Sequence, residues 1–243
     1  MMDETFCRLA RVIGADALER LKNAHVLLFG VGGVGGFAAE ALARSGVGEI
    51  TLIDGDDVAR SNINRQVIAL NSTIGRSKVE VARERLLDIN PNMRVNALQQ
   101  VFLPGGEVPF GKDVSYVIDA IDTVAAKVEL VRVCREMDVP LISCMGTGNK
   151  LDPTLLRVSD IFSTEVCPLC RVMRHELRKR GIDRLKVVYS PEPPRTPIDD
   201  GEQAQASRRS VPGSTMFVPP VAGIMLAREV VLSIVGDALA DAR

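Results

Sequence analysis

Residues 24–36 read Ala-His-Val-Leu-Leu-Phe-Gly-Val-Gly-Gly-Val-Gly-Gly, and the fold is decided there. An apolar strand over 24–29 runs without a break into the turn Gly30-Val31-Gly32-Gly33-Val34-Gly35-Gly36, and a helical run over 37–44 follows at once. Gly46 suits the end of that helix, because the residue just past a helix end often needs positive φ. A strand rich in β-branched residues, 49–54, then ends in Asp54. Strand, glycine turn, helix and strand make a βαβ unit.

Outward from this unit the alternation continues. A helix is predicted over Lys78–Ile89, stopping at Asn90-Pro91 because the residue before proline avoids helical geometry. Strands are predicted around 94–98, 116–120 and 141–144, with a helix over 123–138 between the last two. The pattern predicts an α/β fold, a Rossmann-like, mostly parallel sheet with helices on both faces. Beyond Gly146 a smaller extension is expected: a strand around 155–158, a basic helix around 169–180, a strand at 186–189 and a final helix over 220–235. The tract 190–210 is rich in proline and charge, has too little apolar content to bury itself, and is expected to be a mobile loop. The chain is expected to be one domain over 1–243. In it, 1–150 form the nucleotide-binding core and 151–243 a substrate-binding, dimer-supporting extension.

With 243 residues, 46% of them hydrophobic, the chain has apolar material enough for one large core. Thirty basic residues against thirty-one acidic ones give a net charge of -1, so any nucleic-acid contact must come from a local patch. Residues 1–4 lack the order of a secretory signal, and Arg228 and Glu229 interrupt the apolar run near the C-terminus. A cytoplasmic protein without a membrane span is expected.

The glycine turn permits close approach of backbone to a phosphate, and the next helix presents unpaired N–H groups. Gly30, Gly32, Gly33 and Gly35 are therefore candidate nucleotide contacts. Asp54, nineteen residues after Gly35, suits ribose hydroxyls. These features alone leave NAD and ATP open. Arg65 and Lys78 discriminate, since hydride transfer has no use for two cations at the phosphates, whereas nucleotidyl transfer builds negative charge there. Asp122, after the 116–120 strand, could hold magnesium. Singly, Arg65 and Lys78 would read as an exposed salt-bridging pair on a helix start and Asp122 as a helix N-cap; together, in this order after a glycine turn, they favour chemistry.

The set Gly30-x-Gly32-Gly33-x-Gly35, Asp54-x-Asp56, Asn62-x-x-Arg65-Gln66, Lys78 and Asp119-x-x-Asp122 resembles the ThiF-like superfamily. That superfamily includes ubiquitin-activating enzymes and adenylyltransferases for sulphur-carrier proteins. The resemblance implies that the glycines, Asp54 and Asp56 hold ATP, that Asn62, Arg65 and Lys78 contact its phosphates, and that Asp122 helps bind Mg2+. Arg11 matches an arginine that reaches a neighbouring subunit's ATP, which implies a homodimer. The stretches 54–58, 116–122 and 146–154 resemble the tRNA threonylcarbamoyladenosine dehydratase branch. The implied reaction activates a tRNA-borne carboxylate with ATP and then closes a ring, a net dehydration. Activation of the C-terminus of a ubiquitin-like or sulphur-carrier protein is the alternative, and a sulphur-transfer partner protein remains open.

An RNA substrate also suits the basic helix. At helical period Leu169, Met173 and Leu177 share one side, while Arg171, Arg174, His175 and Arg178 face away as candidate nucleic-acid contacts. Cys167-Pro168-Leu169-Cys170 invites zinc, but tetrahedral zinc needs four ligands and no second Cys-x-x-Cys follows, so zinc is not expected.

Overall fold

In a computed structural model of the protein, residues 4–106, 113–198 and 212–242 are described. Seven strands form one sheet: β1 (His25–Phe29), β2 (Glu49–Ile53), β3 (Arg94–Leu98), β4 (Val114–Asp119), β5 (Leu141–Cys144), β6 (Arg157–Asp160) and β7 (Lys186–Tyr189). Their order is β3-β2-β1-β4-β5-β7-β6, all pairs parallel except β6 with β7. The mostly parallel sheet expected from the alternation is thus what the chain forms.

The register of β1 explains its unbroken apolar sequence. Val26 and Leu28 join a core with α3 (Gly35–Arg44), α4 (Lys78–Ile89) and α7 (Val218–Val235), whereas Leu27 and Phe29 join another with α5 (Val124–Glu136). Successive side chains point to opposite faces, so a strand covered on both sides must be apolar throughout. Each such Leu or Phe contributes about 1.5–3 kcal/mol by leaving water. Helices α1 (Cys7–Ile13) and α2 (Ala15–Lys22) pack together ahead of β1. The basic helix, α6 (Pro168–Lys179), lies against α5.

Several boundaries differ by a residue or two from the sequence expectation, and three departures have a clear physical cause. The strand expected at 155–158 begins two residues later, because Asp152 accepts a hydrogen bond from the Thr154 amide and turns Pro153–Leu155 into a 3-10 helix. The last helix begins at Val218, with Pro219 and Pro220 in its first turn, where a missing N–H costs nothing. The start of the 190–210 tract is held: buried Lys150 donates to the carbonyls of Ser190 and Glu192, and the Glu192 carboxylate accepts from the amides of Leu151 and Asp152. Residues 199–210 of that tract lie outside the described residues.

The extension beyond 150 is not a separate layer, since β7 lies between β5 and β6 in the common sheet. Helix α7 is long and apolar enough to cross a membrane by length and composition. It packs instead across α3, where a Cβ on Gly223 would stand 2.2 Å from the Val34 carbonyl oxygen.

Candidate active site

The order reverses at β1, which pairs with β2 on one side and β4 on the other. Such a switch point leaves a crevice at the carboxyl ends of the strands. The glycine turn fills that place. Gly30 has φ 89° and lies so close to the β4 loop that a Cβ there would stand 2.6 Å from the Ala120 carbonyl oxygen. At Gly35 a Cβ would stand 1.8 Å from the Gly30 carbonyl oxygen, so only glycine closes this turn.

Arg65 and Gln66 lie directly against the same turn. A Cβ on Gly33 would sit 3.3 Å from the Arg65 Cγ, and one on Gly32 would sit 3.8 Å from the Gln66 Nε2. The Arg65 guanidinium donates to the Ser61 carbonyl and the Asn64 side chain. Gln66 Oε1 is buried without a hydrogen-bond partner, an acceptor beside the turn available to a ligand's donor. Asn62 shapes this approach. Its side chain accepts from the Ala59 amide, and its carbonyl accepts from the amides of Arg65 and Gln66.

Across the turn, Asp54 accepts from the Val31 amide at 2.7 Å and from the Asp56 amide at 2.9 Å. Lys78, the first residue of α4, is buried. It donates to Asp56 at 2.6 Å and stands 3.9 Å from Asp54. Arg65 and Gln66 thus border the glycine turn at Gly33 and Gly32, while Lys78 and Asp56 are linked to it through Asp54 at Val31. Asp122 is exposed two residues beyond Ala120, which touches Gly30, and accepts from the Thr123 hydroxyl at 3.3 Å. An exposed carboxylate on the rim of a glycine turn fits a magnesium ion that keeps most of its waters. Arg11 is not brought to this place: α1 packs on α2 and the C-terminal 3-10 segment.

One residue of this region escapes sequence reasoning. Lys127 is fully buried in α5, where it donates to Asp119, to the Ser143 hydroxyl and to the Cys144 carbonyl. Asp119 also accepts from the Ile121 amide, which fixes the loop carrying Asp122. The available signal was a lysine in step with Val131 and Cys134 on an apolar helix face.

On α6, Arg171 and His175 are exposed, and Arg178 lies over the Phe162 ring at 5.2 Å. Arg174 is half-buried and donates to the carbonyls of Ile161 and Thr164 and to the Thr164 hydroxyl, so it braces the helix rather than facing a polyanion. Glu176 pairs with both Lys179 and Arg180.

A switch-point crevice with a glycine turn, a carboxylate at the end of β2, Arg65 against the turn and Lys78 beside that carboxylate is the arrangement of a nucleotide-binding α/β protein. The model of the ThiF family matches residues 6–242, and the chain belongs to that family. It is 44% identical over 241 residues to the tRNA threonylcarbamoyladenosine dehydratase of Bacillus subtilis, covering 96% of this chain and 95% of that protein. The structure of E. coli tRNA N6-threonylcarbamoyladenosine dehydratase in complex with AMP superposes with a TM-score of 0.87 at 34% identity, covering 98% of each chain. The same enzyme in complex with ATP gives a TM-score of 0.83 at 34% identity, covering 97% of this chain and 95% of the other.

Proposed function

We propose that this chain is an ATP-dependent tRNA threonylcarbamoyladenosine dehydratase. The observation that supports the proposal is the glycine turn at the switch point of the sheet, with Arg65 against Gly33 and Lys78 linked to the turn through Asp54. The relatives that match nearly the whole chain act on the same tRNA nucleoside by name, and one has been seen with ATP. A carboxylate is a poor electrophile, and transfer of AMP to it creates a good leaving group. The α-phosphate gathers negative charge as pyrophosphate departs, and fixed cations there lower the barrier.

In this reading the glycine turn and the N-terminus of α3 cradle the phosphates, and Asp54 and Asp56 take the ribose side. Arg65 and Lys78 stabilise the transferring phosphoryl group, while Asn62 holds Arg65 in place. Asp122 would hold magnesium, whose charge would offset that of the leaving pyrophosphate. Arg11 would complete the site of a second copy in a homodimer. A cytoplasmic location accompanies a tRNA substrate. Incubation of the protein with ATP, magnesium and modified tRNA is expected to yield AMP, pyrophosphate and a nucleoside lighter by one water, read by mass spectrometry of digested tRNA. An unchanged nucleoside together with an adenylated carrier protein would replace this function with activation of a protein C-terminus.

Arg171, His175 and Arg178 would carry the tRNA backbone. Their joint replacement by alanine is expected to weaken tRNA binding and to flatten the plot of log affinity against log salt, by about one unit for each phosphate that the variant no longer neutralises. Arg174→Ala should instead lower the urea midpoint and leave that slope unchanged. An unaltered slope in the triple variant would return α6 to an ordinary solvated face.

A further inference from the structure

The end of the sheet opposite the glycine turn carries a second group of chemistry-bearing side chains, none of which the adenylation site uses. His25 opens β1 and Glu49 opens β2, and the parallel register sets them side by side. On the other flank of β1, His25 pairs with Val114 of β4, so Asp113, one residue earlier, arrives at the same level. Phe29, the last residue before the turn, lies four residues further along β1, roughly 13 Å at the usual rise of a strand. The group therefore stands apart from the nucleotide crevice.

The imidazole of His25 is held on one side and lacks a partner on the other. His25 is 7% exposed. Its Nε2 faces the Thr51 hydroxyl at 2.9 Å, the kind of outer contact that orients a ligating imidazole. Its Nδ1 is buried without a hydrogen-bond partner, and the nearest Asp113 oxygen, Oδ2, stands 3.6 Å from it. Glu49 Oε1 stands 3.9 Å from Nε2, and one ligand atom from each of the three residues lies within 4.8 Å of the other two. At bond lengths of about 2.0–2.2 Å, neighbouring corners of a zinc tetrahedron lie roughly 3.3–3.6 Å apart. The spacing of Nδ1 and Asp113 already fits one edge, and a turn of the Glu49 side chain closes the others. Among the described residues, Arg94 is the one guanidinium or ammonium paired with either carboxylate, at 2.9 Å from Glu49, so the group keeps a net negative charge.

We propose that His25 Nδ1, Glu49 and Asp113 bind a zinc ion that ties together the amino ends of β2, β1 and β4. An imidazole beside two carboxylates suits zinc, whereas magnesium and calcium take oxygen ligands. The Glu49 side chain is 12% exposed and that of Asp113 68%, so the ion enters past Asp113, and a water takes the fourth position on that side. Asn96 of β3 donates both to Glu49 and to the Thr51 hydroxyl that faces His25, so two of the three ligands share one outer support. The ion gives the buried Nδ1 its missing partner and offsets the charge of the two carboxylates. Because the three ligands meet only where β1 has paired with β2 and β4, zinc binds the folded chain in preference to the unfolded one and stabilises it.

The test uses the full chain, stripped of metal with a chelator, free of nucleotide, and titrated with zinc chloride while the imidazole nitrogen signals are followed by NMR. The chain has two histidines, so the readout is direct: the His25 Nδ1 signal is expected to move on adding zinc while the signals of His175 stay in place. A large excess of magnesium should leave that shift unchanged, and zinc should raise Tm by several degrees. Asp113→Asn alters a side chain that stands mostly in water, keeps the fold, and should weaken zinc binding at His25 at least tenfold. Cys167 and Cys170 are the rival zinc ligands, and replacing both with serine should leave the His25 shift intact. Two results would overturn the proposal. One is a His25 ring signal that does not move at saturating zinc; the other is an unchanged zinc affinity at that ring in Asp113→Asn.

Discussion

Lys78→Ala is expected to lower the rate of ATP-dependent AMP formation by about a hundredfold or more, a barrier increase of about 2.7 kcal/mol. Two effects combine. The substitution removes a cation fixed beside the glycine turn, and it leaves Asp54 and Asp56 without the ammonium that stands 3.9 Å from one and 2.6 Å from the other. Two uncompensated carboxylates then repel the incoming triphosphate. Pyrophosphate release measured against ATP concentration separates the two, since the repulsion raises KM and the missing cation lowers kcat. A rate near that of the unaltered protein, with Arg65→Ala and Asp122→Ala equally silent, would leave the adenylation proposal without a site.

Lys127→Ala should produce the largest loss of stability, about 3–5 kcal/mol, read from the urea midpoint. The removed ammonium is fully buried, and its loss strands the Asp119 carboxylate in a place where water cannot reach it. The double variant Lys127→Met with Asp119→Asn should recover most of that loss, because it removes both charges and keeps similar volume. If Lys127→Ala unfolds at the same urea concentration as the unaltered protein, the pair is not the internal brace that its hydrogen bonds describe.

Much of this architecture was legible in the sequence for a physical reason. In a parallel sheet covered on both faces, strands such as β1 must be apolar throughout, and glycine punctuation marks where they turn. Lys78 was readable because it opens the helix that follows the β2 carboxylate, just after Gly75-Arg76-Ser77. Lys127 was not, since a lone lysine on a helix ordinarily stands in water, and its three partners come from β4 and β5, elsewhere in the chain. Arg174 failed in the opposite direction. Its helical phase placed it among exposed cations, but helical phase is blind to the Ile161–Thr164 carbonyls that draw it inward. The strand at 155–158 shifted because an Asp-Pro turn outcompetes a short apolar run.

Helix α7 gives the glycine turn an unusual dependence on the far end of the chain. Pro219 stands against Gly33, and Gly223 rests on the Val34 carbonyl, so the wall behind the turn is made almost two hundred residues after the turn itself. A ribosome that has released every strand has still not delivered a finished pocket. Nucleotide capture is therefore expected to wait until α7 has been made, and a nascent fragment stalled before residue 218 would expose bare apolar surface on α3 to chaperones instead of binding ATP.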